Sequence, residues 1–181
     1  MAVTQFQIAP LRDESLWGYL EIVKTMRLAT VTGRKAIEIS PVWFVVRNKR
    51  IYFAIDPVVG DPGRAATPAS RHLDALERDC RVSAVVDDGE DITTFRGVQI
   101  AGKATEITRE RLRDELVDLV LEKYFYMGHP HLEAYLSSGM MIARRWFQLD
   151  PERIEGWDRR LLPQAPTMER RVLPPHLRKR G

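Results

Sequence analysis

The sequence contains a single cysteine, Cys80, so the chain forms no internal disulfide. That usage is compatible with a reducing compartment, and we expect a cytoplasmic protein. The apolar runs are far shorter than the roughly 20 residues that cross a bilayer, and the first residues lack the basic and apolar regions of a signal peptide. We therefore expect no membrane partner. We expect Cys80 to pack against the core rather than to act as a nucleophile.

Several motifs that carry chemistry are also missing. There is no glycine-rich nucleotide fingerprint and no Ser-His-Asp order, which argues against a Rossmann enzyme and a hydrolase. His129 and His131 flank a proline, and no carboxylate or cysteine beside them in sequence completes a ligand set. The sequence therefore predicts no metal site.

Strong charge of one sign is absent from the body of the chain. The tail, residues 163–181, holds five of the 28 cations and one of the 25 anions, which leaves 23 cations and 24 anions in residues 1–162. A nucleic-acid-binding domain would present a basic face on its folded body, so we expect no nucleic-acid partner. Because the tail is also rich in proline, we divide the chain into a folded domain (1–162) and a basic, proline-rich extension (163–181).

Hydrophobic periodicity predicts mainly strands with a few helices. Helices are expected from Asp13, from an N-cap at Ser70, from a cap at Thr108 and over residues 130–137. Six strands are expected over residues 27–32, 37–46, 51–55, 82–86, 94–107 and 141–149. Six antiparallel-looking strands with few helices are typical of a closed or split barrel.

The turn at Ser70, Arg71 and His72 is the strongest candidate binding site. If Ser70 caps a helix, Arg71 and His72 lie in its first turn. Free amides, the positive end of the helix dipole and a guanidinium then favour an anion such as phosphate. The same residues could instead serve only to cap the helix.

Three further segments, residues 27–31, 40–53 and 95–106, frame this turn. In this order the four segments resemble the FMN-binding split-barrel superfamily, whose best-known member is pyridoxamine 5′-phosphate oxidase. They look most like its flavin/deazaflavin oxidoreductase branch, which uses FMN or the deazaflavin coenzyme F-420. The resemblance covers about residues 14–160. It implies a six-stranded antiparallel Greek-key split barrel that forms a homodimer, with the cofactor in clefts between the subunits.

The resemblance also implies which residues hold the cofactor. Its phosphate would lie at Ser70, Arg71 and His72, where many relatives have Ser-Arg-Lys followed by an Asn at the position of Ala75. Its ring would lie along one strand and near a second strand and a C-terminal tryptophan, and the residues at these positions are Ile39, Ser40, Pro41, Val42, Trp43, Tyr52, Phe53 and Trp157. The oxidase itself tends to carry Gln where Gly97 stands, which speaks against that particular activity.

These residues together imply a flavin- or deazaflavin-dependent oxidoreductase that moves a hydride to or from a small organic substrate. The cofactor carries such chemistry, so no residue is predicted as a general acid. Two alternatives stay open. One is a split-barrel protein that binds or stores a cofactor without catalysis, or has lost it. The other is a haem-binding variant with an axial ligand among His72, His129, His131 and His176.

Overall fold

The computed structural model describes residues 9–56, 68–90, 94–125, 129–137 and 144–161. The predicted tail and the residues before Pro68 that follow Asp56 lie outside this part of the chain. The strands are β1 (Ala9–Leu11), β2 (Met26–Val31), β3 (Ile37–Val42), β4 (Phe44–Arg47), β5 (Arg50–Ile55), β6 (Arg81–Asp88), β7 (Arg96–Glu106) and β8 (Arg145–Asp158). The helices are α1 (Asp13–Ile22), α2 (Pro68–Arg78), α3 (Glu110–Tyr124) and α4 (Leu132–Ser137), with a 3-10 turn at Arg159–Leu161.

The strands form one antiparallel sheet that curls into a split barrel. Their order is β3-β2-β6-β7-β8-β5-β4, with the short β1 beside β8. β3 and β4 stand at opposite ends of that order, yet only Trp43 separates them in sequence, so the chain itself joins the two ends of the sheet. Counted as one interrupted strand, they give six long strands among the described residues, as the sequence predicts. Consecutive strands β5 and β6 are not neighbours, which is the Greek-key crossing.

The interruption at Trp43 differs from the continuous strand predicted over residues 37–46. At this point the hydroxyl of Tyr124, on α3, accepts a hydrogen bond from the Phe44 amide at 2.9 Å. The same hydroxyl lies within donating distance of the carbonyl oxygens of Lys24 (2.7 Å) and Phe44 (2.9 Å). A side chain from a helix therefore satisfies backbone groups that a neighbouring strand would otherwise pair.

The main core fills the interior of the barrel. Strand residues alternate between this core and the outer surface, as in β6, where Val82, Ala84 and Val86 are buried. Helices α1 and α2 add leucines to the same core. A second apolar layer lies between α3 and the outer face of β4, β5 and β8, and its members include Val45, Tyr52, Leu112, Leu116, Val120 and Trp146.

Three helices begin elsewhere than predicted, and for α4 the difference is two residues, since it begins at Leu132 instead of residue 130. Helix α2 begins at Pro68, so Ser70 lies within its first turn and is not the N-cap. Proline suits a first helical position because its fixed φ is already helical and its missing N–H would have no partner there. Helix α3 has Arg109 as its N-cap rather than Thr108, and no side chain caps it.

Strand β8 is longer than predicted and continues to Asp158. Asp150 and Pro151 read as a strand end in sequence, but a register shift between Ala101 and Gly102 on β7 lets the pairing continue past them. Gly102 is needed at that shift, because a Cβ there would lie 2.1 Å from the carbonyl oxygen of Asp150.

The prediction for Cys80 was wrong: the residue follows the end of α2 and is exposed. The helices of the described residues are too short or too polar to cross a membrane.

The second layer gives a direct stability prediction. Leu116 is fully buried between α3 and the sheet, so Leu116→Ala leaves a cavity and should lower the free energy of unfolding by about 2–5 kcal/mol. Leu136→Ala on α4 is the matched control, since Leu136 is half exposed, and it should change that free energy by about 0.5 kcal/mol or less. Urea unfolding followed by circular dichroism measures both. Equal effects of the two substitutions would contradict the packing of α3.

Candidate functional site

The candidate site lies where the end strand β3 meets helix α2. Among the described strands β3 pairs only with β2, so no other strand uses its second backbone edge. Along β3 the side chains alternate: Ile37, Ile39 and Pro41 are exposed, while Glu38 and Ser40 are half buried. Proline fits an end strand because it has no N–H to donate to a ladder. The strand thus presents backbone groups on one edge and polar side chains toward α2.

His72 connects α2 to two strands of the barrel. Its side chain is 1% exposed, its Nδ1 lies 2.9 Å from the hydroxyl oxygen of Thr30 on β2, and its Nε2 lies 2.6 Å from that of Ser40 on β3. A neutral imidazole can donate from one nitrogen and accept at the other, and each hydroxyl can take the complementary role. Burial lowers the pKa of His72, so the neutral form is favoured in the folded protein.

Arg71 makes the second link between α2 and β3. Its Nη2 donates to Oε1 of Glu38 at 2.7 Å. This hydrogen bond holds the pKa of the Glu38 carboxyl below its usual value, so the carboxylate stays ionised. The predicted phosphate-binding cation is therefore paired with an anion of the same chain.

Strand β3 and helix α2 thus bring together five of the predicted site residues: Ile39, Ser40, Pro41, Arg71 and His72. Val42 ends β3 and packs partly against the barrel core. The backbone of Ser70 lies in the same helical turn. His72 was expected to contact the cofactor phosphate, but the structure encloses its ring, so it acts on the site through Ser40.

Trp43 faces a different group of side chains. Its ring stacks on Tyr124 with centroids 4.5 Å apart and meets the edge of Phe125 at 5.7 Å. The guanidinium of Arg144 lies 5.9 Å from the Trp43 ring and forms two hydrogen bonds with the carboxylate of Asp56, of 2.5 and 2.9 Å. Trp43 is still 37% exposed, so part of its ring can meet a ligand at the joint between β3 and β4.

The side chains of Tyr52 and Phe53 lie in the two apolar layers, not beside Trp43. Tyr52 lies in the apolar layer under α3, and Phe53 lies inside the barrel, where its ring stacks on Phe147 at 5.4 Å. Both residues also pair with β4 on one side and β8 on the other. The structure uses them for packing, and a cofactor contact from either one stays a prediction.

Trp157 lies on another part of the barrel wall. It pairs with Gly97 across β7 and β8, and strands β7, β6 and β2 separate it from β3. Register places Pro41, Arg27, Val85, Gln99 and Glu155 in one row across the sheet, and Trp157 is two residues beyond Glu155, so it shares the outer face with Ile39 and Pro41. Within this chain, Trp157 therefore lies away from Arg71.

Gly97 has a packing role in this arrangement. A Cβ at position 97 would lie 2.6 Å from Cζ2 of Trp157, so any larger residue would displace the indole. Trp157 can therefore lie where it does only because residue 97 is a glycine and not the Gln that is usual in the oxidase.

Sequence reasoning missed Glu38, Thr30 and Tyr124. For Glu38 there was a signal, because a carboxylate in an otherwise apolar strand, two residues before Ser40, shares a face with that serine. Thr30 and Tyr124 gave no comparable signal. Their partners lie 42 and 80 residues away in sequence, and only the fold brings them together.

Two histidines considered as haem ligands lie near α4. The rings of His129 and His131 are 5.7 Å apart, and His129 also meets the edge of Phe125 at 5.1 Å. His176 lies outside the described residues. Within the part of the chain that the structure covers, no group of three or more His, Cys, Asp or Glu side chains could hold a metal ion.

Comparison with known proteins places this geometry in a family. The profile of the pyridoxamine 5′-phosphate oxidase family matches residues 18–158. No curated protein matches the sequence significantly.

Solved structures share the fold. A conserved hypothetical protein of Mycobacterium tuberculosis superposes with a TM-score of 0.67 at 22% identity, over 90% of this chain and 96% of that one. An FAD-binding protein of Mesorhizobium loti gives 0.60 at 14% identity, over 83% and 97%. The haem storage protein HutZ of Vibrio cholerae gives 0.57 at 18% identity, over 79% and 94%.

The enclosed imidazole predicts a pH dependence of stability. In the unfolded chain the imidazole of residue 72 takes up a proton near the ordinary His pKa of 6.5, whereas burial lowers its pKa in the folded protein. Protonation therefore favours the unfolded chain, and the free energy of unfolding should fall as the pH drops from about 7.5 to about 5.5. His72→Gln cannot titrate and should make this slope shallower, by at most about 1.4 kcal/mol per pH unit. Urea unfolding across this range measures both proteins. His131→Gln, at an exposed histidine, is the control and should keep the wild-type slope.

Proposed function

The chain belongs to the pyridoxamine 5′-phosphate oxidase family, and on that premise we propose that it is a homodimeric oxidoreductase that uses FMN or the deazaflavin coenzyme F-420. It moves a hydride between this cofactor and a small organic substrate. We place the cofactor along the second backbone edge of β3 beside α2, and this region is called the cleft below.

The observation that carries this proposal is the second backbone edge of β3 beside Arg71. Backbone N–H and C=O groups of Ile39 and Ser40 suit the nitrogen and oxygen atoms along the edge of a flavin or deazaflavin ring. His72 holds the hydroxyl of Ser40 in place, and Arg71 is the residue just before His72 in the sequence. These residues fit a flat ring with polar atoms along its edge.

When bound, the cofactor supplies the hydride chemistry. The chain supplies position: β3 fixes the edge of the ring, and Trp43 offers an apolar surface beside it. The guanidinium of Arg71 also lies beside β3, where it is paired with Glu38. Because His72 is buried and neutral, it holds Ser40 without adding a charge to the site. No side chain of the cleft is required as a proton donor in this scheme.

A second subunit completes the site. Ile37 and Ile39 are 68% and 63% exposed, and they pair across β2 with Val31 and Ala29, so a single chain leaves an apolar face uncovered. Trp157 lies on this same outer face of the barrel, away from Arg71 of its own chain. Two-fold pairing of such faces can bring Trp157 of one subunit toward the cleft of the other.

The pyridoxamine phosphate oxidase activity itself is not part of the proposal. Gln is usual in that enzyme where this chain has Gly97, and Trp157 fills the space over the glycine. The substrate is instead another small organic molecule, such as a quinone, an unsaturated ketone or a tetrapyrrole.

A non-catalytic cofactor-binding protein is the second candidate. It is favoured by the pairing of Arg71 with Glu38, which leaves little net positive charge for a cofactor phosphate. Haem is one possible ligand, because the fold is shared with a haem storage protein. His72 is a poor axial ligand, however, since both of its ring nitrogens contact hydroxyls.

Absorption spectroscopy and anaerobic titration separate these candidates. We expect the protein to bind FMN or F-420, and the bound, reduced cofactor to be reoxidised without oxygen by at least one quinone or enone of a panel. Binding without reoxidation by any acceptor would favour the storage protein, and a Soret band after haem addition would favour haem. No binding of any of the three ligands would contradict the proposal.

The dimer has its own test. Ile39→Glu puts a charge on the apolar face and should convert the dimer to a monomer in sedimentation velocity at micromolar concentration. Ile22→Glu is the matched control, because Ile22 on α1 is exposed to a similar degree (61%) but lies outside the β3 face. It should leave the dimer intact. A wild-type monomer would remove the shared site from the proposal.

A further inference from the structure

We propose that the carboxylate of Glu38 pairs with Arg71 where a cofactor phosphate would otherwise bind. This chain then binds its cofactor through the ring and gains little affinity from a phosphate. The inference rests on the proposed function, because it concerns the same cleft. It assigns a specificity role to Glu38 and a ligand class to the site: flavin or deazaflavin rings, with or without a phosphate.

The first argument is the contact itself. Oε1 of Glu38 lies 2.7 Å from Nη2 of Arg71, which is an ordinary distance for a charge-assisted hydrogen bond. A phosphate oxygen that approached the same nitrogen would take the place of this carboxylate oxygen or lie against it. Two anions in contact repel each other, so phosphate binding would carry the cost of breaking or sharing the Arg71–Glu38 pair.

The second argument is the protonation state of His72, the residue next to Arg71. His72 is enclosed, its pKa is lowered by burial, and both ring nitrogens contact the hydroxyls of Thr30 and Ser40. It adds no positive charge that could offset Glu38 near neutral pH. Ala75, one turn along α2, is buried and has no polar side-chain atom to offer a phosphate.

The third argument is that Glu38 is held in place. It lies on β3 two residues before Ser40, on the same face of the strand, and its side chain is only 22% exposed. The ion pair and the His72–Ser40 hydrogen bond are therefore parallel links between the same strand and the same helix. Moving Glu38 out of the way would loosen one of the two links that position Ser40.

A matched pair of ligands tests the inference, since FMN and riboflavin differ only in the phosphate. In wild-type protein the two dissociation constants should be nearly equal. Glu38→Gln keeps the shape and an acceptor oxygen for Arg71 but removes the negative charge, and it should strengthen FMN binding about 10-fold while riboflavin binding stays unchanged. Fluorescence titration measures all four constants. If only deazaflavins bind, the deazaflavin chromophore with and without a 5′-phosphate monoester replaces this pair.

Glu77→Gln is the control for net charge. Glu77 also lies on α2 and pairs with Arg145 at 2.7 Å, away from the Arg71 turn, so its neutralisation should alter neither constant. Tight, phosphate-dependent binding by wild type, or an equal gain for both ligands in Glu38→Gln, would overturn the role of Glu38 while the proposed function stands. Failure of every variant to bind any of these ligands would instead overturn the proposed function.

Discussion

The backbone of Phe44 directs its N–H toward the hydroxyl of Tyr124 instead of toward another strand, and the geometry of the site depends on this contact. It stabilises the one-residue interruption at Trp43, through which a single stretch of chain serves as the first and the last strand of the sheet. Among the described strands, β3 still has one backbone edge without a strand partner.

Helix α2 packs against β3 and places polar side chains beside that strand. Two links with different chemistry hold it to β3: a buried neutral imidazole between two hydroxyls, and an ion pair at the surface. The buried link contributes more to the order of Ser40, because no water competes for it, while an exposed ion pair contributes little to stability. The ion pair instead balances the charge of Arg71 with that of Glu38.

On the outer face of the barrel, two of the predicted site residues lie far apart within one chain. Ile39 and Trp157 lie on the same face but are separated by β2, β6 and β7, and the wall curves between them. A ligand that used both residues would need a second copy of this face. The exposed isoleucines and the position of the tryptophan therefore support the same two-fold arrangement, although each is a separate observation.

The sequence by itself determined the strand content, the six long strands and the resemblance to the family, because alternation of apolar residues and the order of short segments are local properties. It also marked Arg71 and the strand around Ser40. Only the tertiary structure decided that His72 is enclosed between two hydroxyls, that Glu38 pairs with Arg71, and that Trp157 lies away from Arg71. The His72 contacts span 42 and 32 residues and the Arg71–Glu38 pair spans 33, and such distant pairs depend on how the whole sheet curls. Local periodicity contains no information about that curvature.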